Sequence, residues 1–200
     1  MDVIEIDTPH GPARAHVDGL HNALGALVLG HGAGGGVGAR DLTAAAEAAA
    51  HARFAVALVE QPYRVAGRRA PAPARQLDTA WTAIVQALEA GALHRLPLIT
   101  GGRSSGARVA CRTAAATGAV AVLCLAFPLH PPGRPEKTRL DELDAVKLPV
   151  LVVQGERDPF GMPPPGRNRT VITLAGNHSL SSDVPGVRAA VGQWLEAQVR

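Results

Sequence analysis

The chain has 200 residues, 46% of them hydrophobic, and a formal net charge of +3 at pH 7. That is the size of one domain with an ample core, and no interior linker divides it, so residues 1–200 are expected to form a single domain. Lys137 and Lys147 are the only lysines among 20 basic residues, and the arginines are scattered without a basic stripe or interleaved aromatics, which argues against a nucleic-acid partner.

The N-terminus, Met1-Asp-Val-Ile-Glu-Ile-Asp7, lacks a basic stretch followed by a long apolar run. No segment reaches the roughly 20 apolar residues of a membrane helix. A cytoplasmic protein with no membrane partner is expected. Residues 2–6 and 13–17 alternate in character and predict an antiparallel pair turned by Pro9-His-Gly-Pro12. Ala23–Leu29 is continuously apolar, as expected of a strand covered on both faces, and it ends in Gly30-His-Gly-Ala-Gly-Gly-Gly-Val-Gly38. A helix is predicted from Asp41, as its N-cap, to Ala52, and a strand over Phe54–Glu60. The loop from Gln61 to Ala74 carries Tyr63, Arg64, Arg68, Arg69 and several prolines. In the helix predicted over Gln76–Glu89, Leu77, Trp81, Ile84 and Leu88 recur at helical spacing and mark a core face.

A short apolar strand, Leu96–Thr100, then runs into a glycine-rich turn and a helix over 107–116. Strand Val120–Phe127, the loop Pro128–Glu136 and a short helix over Leu140–Val146 follow. Strands over Val150–Gln154 and Thr170–Leu174 each end in a short loop, and a helix over Val184–Val199 closes the chain. Cys111 and Cys124 fall in apolar elements and read as small buried residues, not as a disulfide framework. With only six aromatics, the core must rest on Ala, Val and Leu. Alternating helices and apolar strands predict a three-layer α/β/α sandwich around a mostly parallel sheet. In such sheets ligands bind outside the carboxyl ends of the strands, and every unusual loop here follows a strand end.

The turn after Leu96–Thr100 is Gly102-Arg-Ser-Ser-Gly106, a G-x-S-x-G between strand and helix. In that context it is a nucleophile elbow, in which only glycine fits two residues either side of Ser104 and the following helix N-terminus points at the hydroxyl. A serine hydroxyl is a poor nucleophile until a base takes its proton, and the base needs a third group to hold its tautomer. Asp158 and His178 follow in the order Ser, Asp, His, each in a short loop at a strand end. They are the expected orienting acid and base. Acyl transfer also needs donors aimed at the developing oxyanion. The Ser105 amide is one, and the loop His31-Gly-Ala-Gly-Gly35 offers the other at Ala33, with Gly34 the alternative. Arg103 and the basic stretch after Tyr63 suit an anionic group on the substrate, and His130 stands in the loop expected to rim the mouth.

Taken together, these pieces resemble the α/β-hydrolases, specifically the small lidless group that includes dienelactone-hydrolase-like and testis-expressed-protein-30-like hydrolases. The matching stretches are His31-Gly-Ala-Gly-Gly35, Gln61-Pro-Tyr-Arg-Val-Ala-Gly-Arg-Arg69, Gly101-Gly-Arg-Ser-Ser-Gly-Ala-Arg108, Phe127-Pro-Leu-His-Pro-Pro-Gly133, Gln154-Gly-Glu-Arg-Asp158 and Gly176-Asn-His-Ser-Leu180. The resemblance implies an α/β-hydrolase fold with minimal lid, and Ser104, Asp158 and His178 as its triad. It departs from dienelactone hydrolase at the nucleophile, which is cysteine there and serine here, so that enzyme's substrate is not carried over. The expected activity is cleavage of a small carboxylic ester with no metal or organic cofactor; oligomeric state is not specified by these residues.

Two other readings compete. Gly30-x-Gly32-x-x-Gly35 is a literal dinucleotide fingerprint followed by Glu60 at the next strand end. A dinucleotide site needs its helix to begin on that loop, whereas Gly36-Val-Gly38 prolongs it. The other is a non-catalytic interaction module on a hydrolase fold, since fold does not fix function.

Overall fold

The computed structural model describes residues 1–198. Eight strands form one sheet: β1 (Asp2–Thr8), β2 (Gly11–Asp18), β3 (Gly25–Gly30), β4 (Phe54–Glu60), β5 (Leu98–Arg103), β6 (Ala121–Leu125), β7 (Val150–Gly155) and β8 (Arg169–Leu174). Their order is β1-β2-β4-β3-β5-β6-β7-β8. The pairs β1–β2 and β2–β4 are antiparallel and all the others parallel. Six helices complete the fold: α1 (Arg40–His51), α2 (Pro62–Val65), α3 (Ala74–Ala90), α4 (Ser105–Thr113), α5 (Leu140–Asp144) and α6 (Val184–Gln198). The sequence reading carried the last helix to Val199, which lies outside the described residues.

Strand periodicity divides the core in two. Leu27, Leu29, Val56, Leu58, Leu123, Leu125, Leu151 and Val153 face α1 and α6. Their alternating neighbours pack on the other face: Ala26, Val28, Ala55 and Ala57 with α3, and Val122, Cys124, Val150 and Val152 with α4 and α5. Burial on both faces is why β3, β6 and β7 read as unbroken apolar runs. The face toward α3 is built of smaller side chains, and Trp81, 1% exposed, fills the space they leave.

Several boundaries differ from expectation. β6 stops at Leu125 because Ala126 turns to φ +50° while its N–H bonds the Val153 carbonyl at 2.8 Å. The loop after Glu60 contains α2, started by Pro62 at the first helical position, where no N–H is needed. Asp41 does not cap α1. The cap position is Ala39, and Asp41 lies inside the first turn, 1% exposed, turned toward β5.

The strand order reverses at β3, which sends the chain first to β4 and then, on its other side, to β5. The crevice outside the carboxyl ends of β3 and β5 is thus the switch point where such sheets hold ligands. Gly30 and Gly102 are paired there, which brings the loop after β3 beside the turn after β5.

Candidate active site

Ser104 sits at that turn with φ +51° and ψ −108°, a strained conformation for a residue with a Cβ. Its N–H bonds the Leu125 carbonyl at 2.9 Å, extending the β5–β6 ladder by one rung before α4 begins. Tight packing makes the strain persist. A Cβ at Gly106 would stand 2.5 Å from the Gly30 carbonyl oxygen, and one at Gly102 would overlap the same oxygen. Only glycine at both positions lets α4 approach β3 so closely.

The Ser104 hydroxyl lies 2.9 Å from His178 Nε2, and His178 Nδ1 lies 2.8 Å from Asp158 Oδ2. Asp158 follows β7, and its side chain is 1% exposed; His178 follows β8, with its side chain 17% exposed. A buried carboxylate only accepts, so Nδ1 carries the imidazole proton and Nε2 presents its lone pair to the serine hydroxyl. Asp158 Oδ1 accepts from the Phe160 N–H at 2.8 Å, and the Phe160 ring stacks on His178 at 4.2 Å between centroids.

The loop after β3 faces this group. The nearest atom to a Cβ built on Gly32 would be Arg103 Nη1, at 2.7 Å, and Ser104 Cβ would stand at 3.7 Å. His31 is buried and accepts the Gln61 N–H on Nε2 at 3.2 Å, so its Nδ1–H donates to the Gly32 carbonyl at 2.9 Å. The Gly32–Ala33 peptide is trans, so the Ala33 N–H points opposite to that carbonyl, away from His31. Tyr63 Oη holds the next carbonyl, that of Ala33, at 2.9 Å. Burial raises the Tyr63 phenol above its ordinary range while Arg64 pulls the other way, so the phenol remains a donor at neutral pH. Neither the Ala33 nor the Ser105 N–H has a protein acceptor among the described residues; Ser105 is the first residue of α4, where no intrahelical acceptor exists.

Arg103 was expected to meet a substrate anion. Two of its guanidinium nitrogens, Nε and Nη2, meet protein groups. Nε lies 2.8 Å from Asp41 Oδ2, off the axis of a good hydrogen bond, so the contact is chiefly Coulombic. Nη2 donates to the His178 carbonyl at 3.2 Å. Burial pushes the Asp41 carboxyl up from its ordinary value, and Arg103 works against that shift. The side chain therefore ties α1, β5 and the His178 loop together. His130 is drawn to the Asp158 loop: its N–H bonds the Phe160 carbonyl at 3.0 Å and its Nδ1–H the Pro131 carbonyl at 2.9 Å. None of its hydrogen bonds reaches Ser104, Asp158 or His178 among the described residues. Of the basic residues after Tyr63, Arg68, Arg69 and Arg75 are exposed and Arg64 donates to the Arg68 carbonyl at 3.2 Å. Sequence reasoning missed Gln154, whose amide bonds Asp158 Oδ2 at 2.8 Å. A glutamine closing an otherwise apolar strand was the available signal. The dinucleotide reading loses its footing, since α1 begins at Arg40, well past Gly35.

The model of an alpha/beta hydrolase domain matches residues 23–182. No curated protein sequence matches the chain significantly. Among solved structures, a lidless α/β serine hydrolase from Xanthomonas campestris, XC6422, is 19% identical with a TM-score of 0.78, over 98% of this chain and 94% of that one. Est1E from Butyrivibrio proteoclasticus is 17% identical with a TM-score of 0.81, over 100% of this chain and 99% of that one. The Pyrococcus furiosus esterase Pf2001 is 14% identical with a TM-score of 0.77, over 98% and 89%. At such identities the likeness is one of fold. The family match spans well over half of the chain, and on that ground the protein belongs to the alpha/beta hydrolases.

Proposed function

We propose that the protein is a serine hydrolase that cleaves a small carboxylic ester through an acyl-enzyme. The observation that carries this reading is the continuous path from Ser104 Oγ to His178 Nε2 at 2.9 Å and from His178 Nδ1 to Asp158 Oδ2 at 2.8 Å. The first distance lies within reach of proton transfer to a general base, and the second is a hydrogen bond that orients that base.

Ser104 Oγ attacks the ester carbonyl carbon while its proton passes to His178 Nε2. The imidazolium formed is stabilised by the Asp158 carboxylate, and the carbonyl oxygen takes up the negative charge. The amides of Ser105 and Ala33 receive that oxyanion; both are free of protein acceptors, and the first also lies at the positive end of α4. Collapse of the tetrahedral species breaks the ester C–O bond, and His178 returns its proton to the leaving alcohol. Water then attacks the acyl carbon as His178 takes its proton; collapse of this second tetrahedral species breaks the bond from the acyl carbon to Ser104 Oγ, His178 returns the proton to that oxygen, and the acid departs.

The test is labelling of the native protein by a fluorophosphonate, which reacts with a serine only when base and oxyanion donors are assembled. Labelling is expected in the native chain and absent in Ser104→Ala, with ester hydrolysis falling by at least about 10⁴-fold. A folded native protein that neither labels nor cleaves p-nitrophenyl esters would end this reading.

A further inference from the structure

Gln154 closes the apolar run of β7 and is fully buried. Its Nε2 lies 2.8 Å from Asp158 Oδ2, 2.9 Å from the Gly161 carbonyl and 3.1 Å from the Phe127 carbonyl. Three acceptors around one nitrogen fix the orientation of the amide, because turning it over would set Oε1 against three oxygens. Oε1 itself is buried without a partner among the described residues, a costly arrangement for a side chain that merely fills space.

Asp158 Oδ2 is also the oxygen that faces His178 Nδ1, whereas Oδ1 faces the Phe160 N–H. A carboxylate that orients an imidazole must not swivel about its own Cβ–Cγ bond. The Phe160 amide secures one oxygen. The oxygen that accepts the hydrogen bond from His178 Nδ1–H is secured by Gln154.

We propose that Gln154 is a positioning residue of the triad, its Nε2–H holding Asp158 Oδ2 in line with His178 Nδ1 so that the imidazole stays aimed at Ser104. For turnover the proposal rests on the serine-hydrolase reading; for the state of the imidazole it does not. The titratable and charged groups about this amide are Asp158 on the loop after β7, His178 from the loop after β8, His130 against Gly161, and Arg103 through the His178 carbonyl.

Two variants test it. Gln154→Met keeps length and volume and removes both N–H donors. Gln154→Glu keeps shape, donates when protonated and repels Asp158 when ionised, and it keeps the test readable should the methionine chain not fold. The readouts are NMR titration of the His178 imidazole in the full chain, with kcat and KM on a p-nitrophenyl ester. In Gln154→Met the uncovered Oδ2 attracts the imidazolium more strongly, so His178 should titrate at higher pH. There kcat should fall about 10-fold with KM unchanged, the scale of one hydrogen bond to a charged group. In Gln154→Glu the upward shift should be larger, and kcat should decline as the introduced carboxyl ionises. A His178 titration that stays put in both variants overturns the proposal even if both melt at lower temperature. That pattern would mark a residue that only ties Phe127 to Gly161. The titration is read whether or not an ester is cleaved, so an inert protein ends the hydrolase reading and leaves this result standing.

Discussion

His31 is 3% exposed and uses both ring nitrogens, one to accept from Gln61 and one to hold the Gly32 carbonyl. The second bond sets the plane of the Gly32–Ala33 peptide and with it the direction of the Ala33 N–H. Replacing His31 by Phe keeps an aromatic ring there, a somewhat larger one, and loses both bonds. The Gly32 carbonyl is then held only by the Gly35 N–H at 3.2 Å. Loss of one oxyanion donor outright costs about 10²–10³ in kcat, so on the proposed serine-hydrolase reading a donor left in place but loosened should cost roughly 10- to 100-fold in ester turnover. The same burial lowers the His31 imidazole below its ordinary 6.5, with the Gly32 bond pulling the other way. On acidification the unfolded chain therefore takes up this proton first, at about its ordinary value, while the folded protein refuses it until lower pH. Stability should fall as pH drops below 6.5 toward the folded value, and be flat in this respect above it. Thermal melts at pH 7.5 and 5.5 read the effect. The native chain should lose more between the two than His31→Phe does, and equal losses would remove His31 from the acid sensitivity.

At the level of elements, the site depends on how closely α4 lies against β3. A methyl group at Gly106 would meet the Gly30 carbonyl oxygen at 2.5 Å and carbon at 2.7 Å, and the His31 carbonyl oxygen at 2.9 Å, all of them backbone. Nothing flexible can yield, so Gly106→Ala should sit near the upper end of overpacking costs, about 3 kcal/mol. For a chain of this size that is roughly 6–12 °C in Tm, with activity lost as Ser104 is displaced. Gly36→Ala is the control, since a methyl there meets nothing within 4 Å; it should melt within about 2 °C of the native chain. These glycines were legible in the sequence because the elbow demands them at fixed spacing. The apolar strands were legible because both sheet faces are covered. Asp41 was misread as a cap because it answers to Arg103 across 62 positions of sequence and carries no local mark of that partner. Gln154 carried one local mark, a polar residue at the end of an apolar strand, but its meaning comes from Phe127 and Gly161, which only the fold brings to it.

Across the whole molecule the chain is spent on the sheet and the helices that cover it. The longest connections without helix or strand, 126–139 and 156–168, are pinned down along their length. In the first, Arg139 returns to the segment's start, its N–H bonding the Leu129 carbonyl at 2.7 Å and its Nη1 the Pro128 carbonyl at 2.8 Å. In the second, Gln154 holds the Gly161 carbonyl and Arg169 Nε the Pro164 carbonyl at 2.8 Å. Neither carries a helix that could swing over Ser104, so these two segments offer no apolar cover whose opening an oil surface would favour. A hydrolase with such a cover speeds up abruptly when its ester passes the solubility limit, because the interface stabilises the open form. Here the rate should follow the dissolved ester and level off at that limit, its ratio across the limit staying at about 1. Initial rates on a short-chain ester, measured from well below to well above saturation, decide the matter. A jump of about 10-fold or more at saturation would mean that one of these two segments moves as a lid, and that the fixed bonds of Arg139 or Arg169 break when it does.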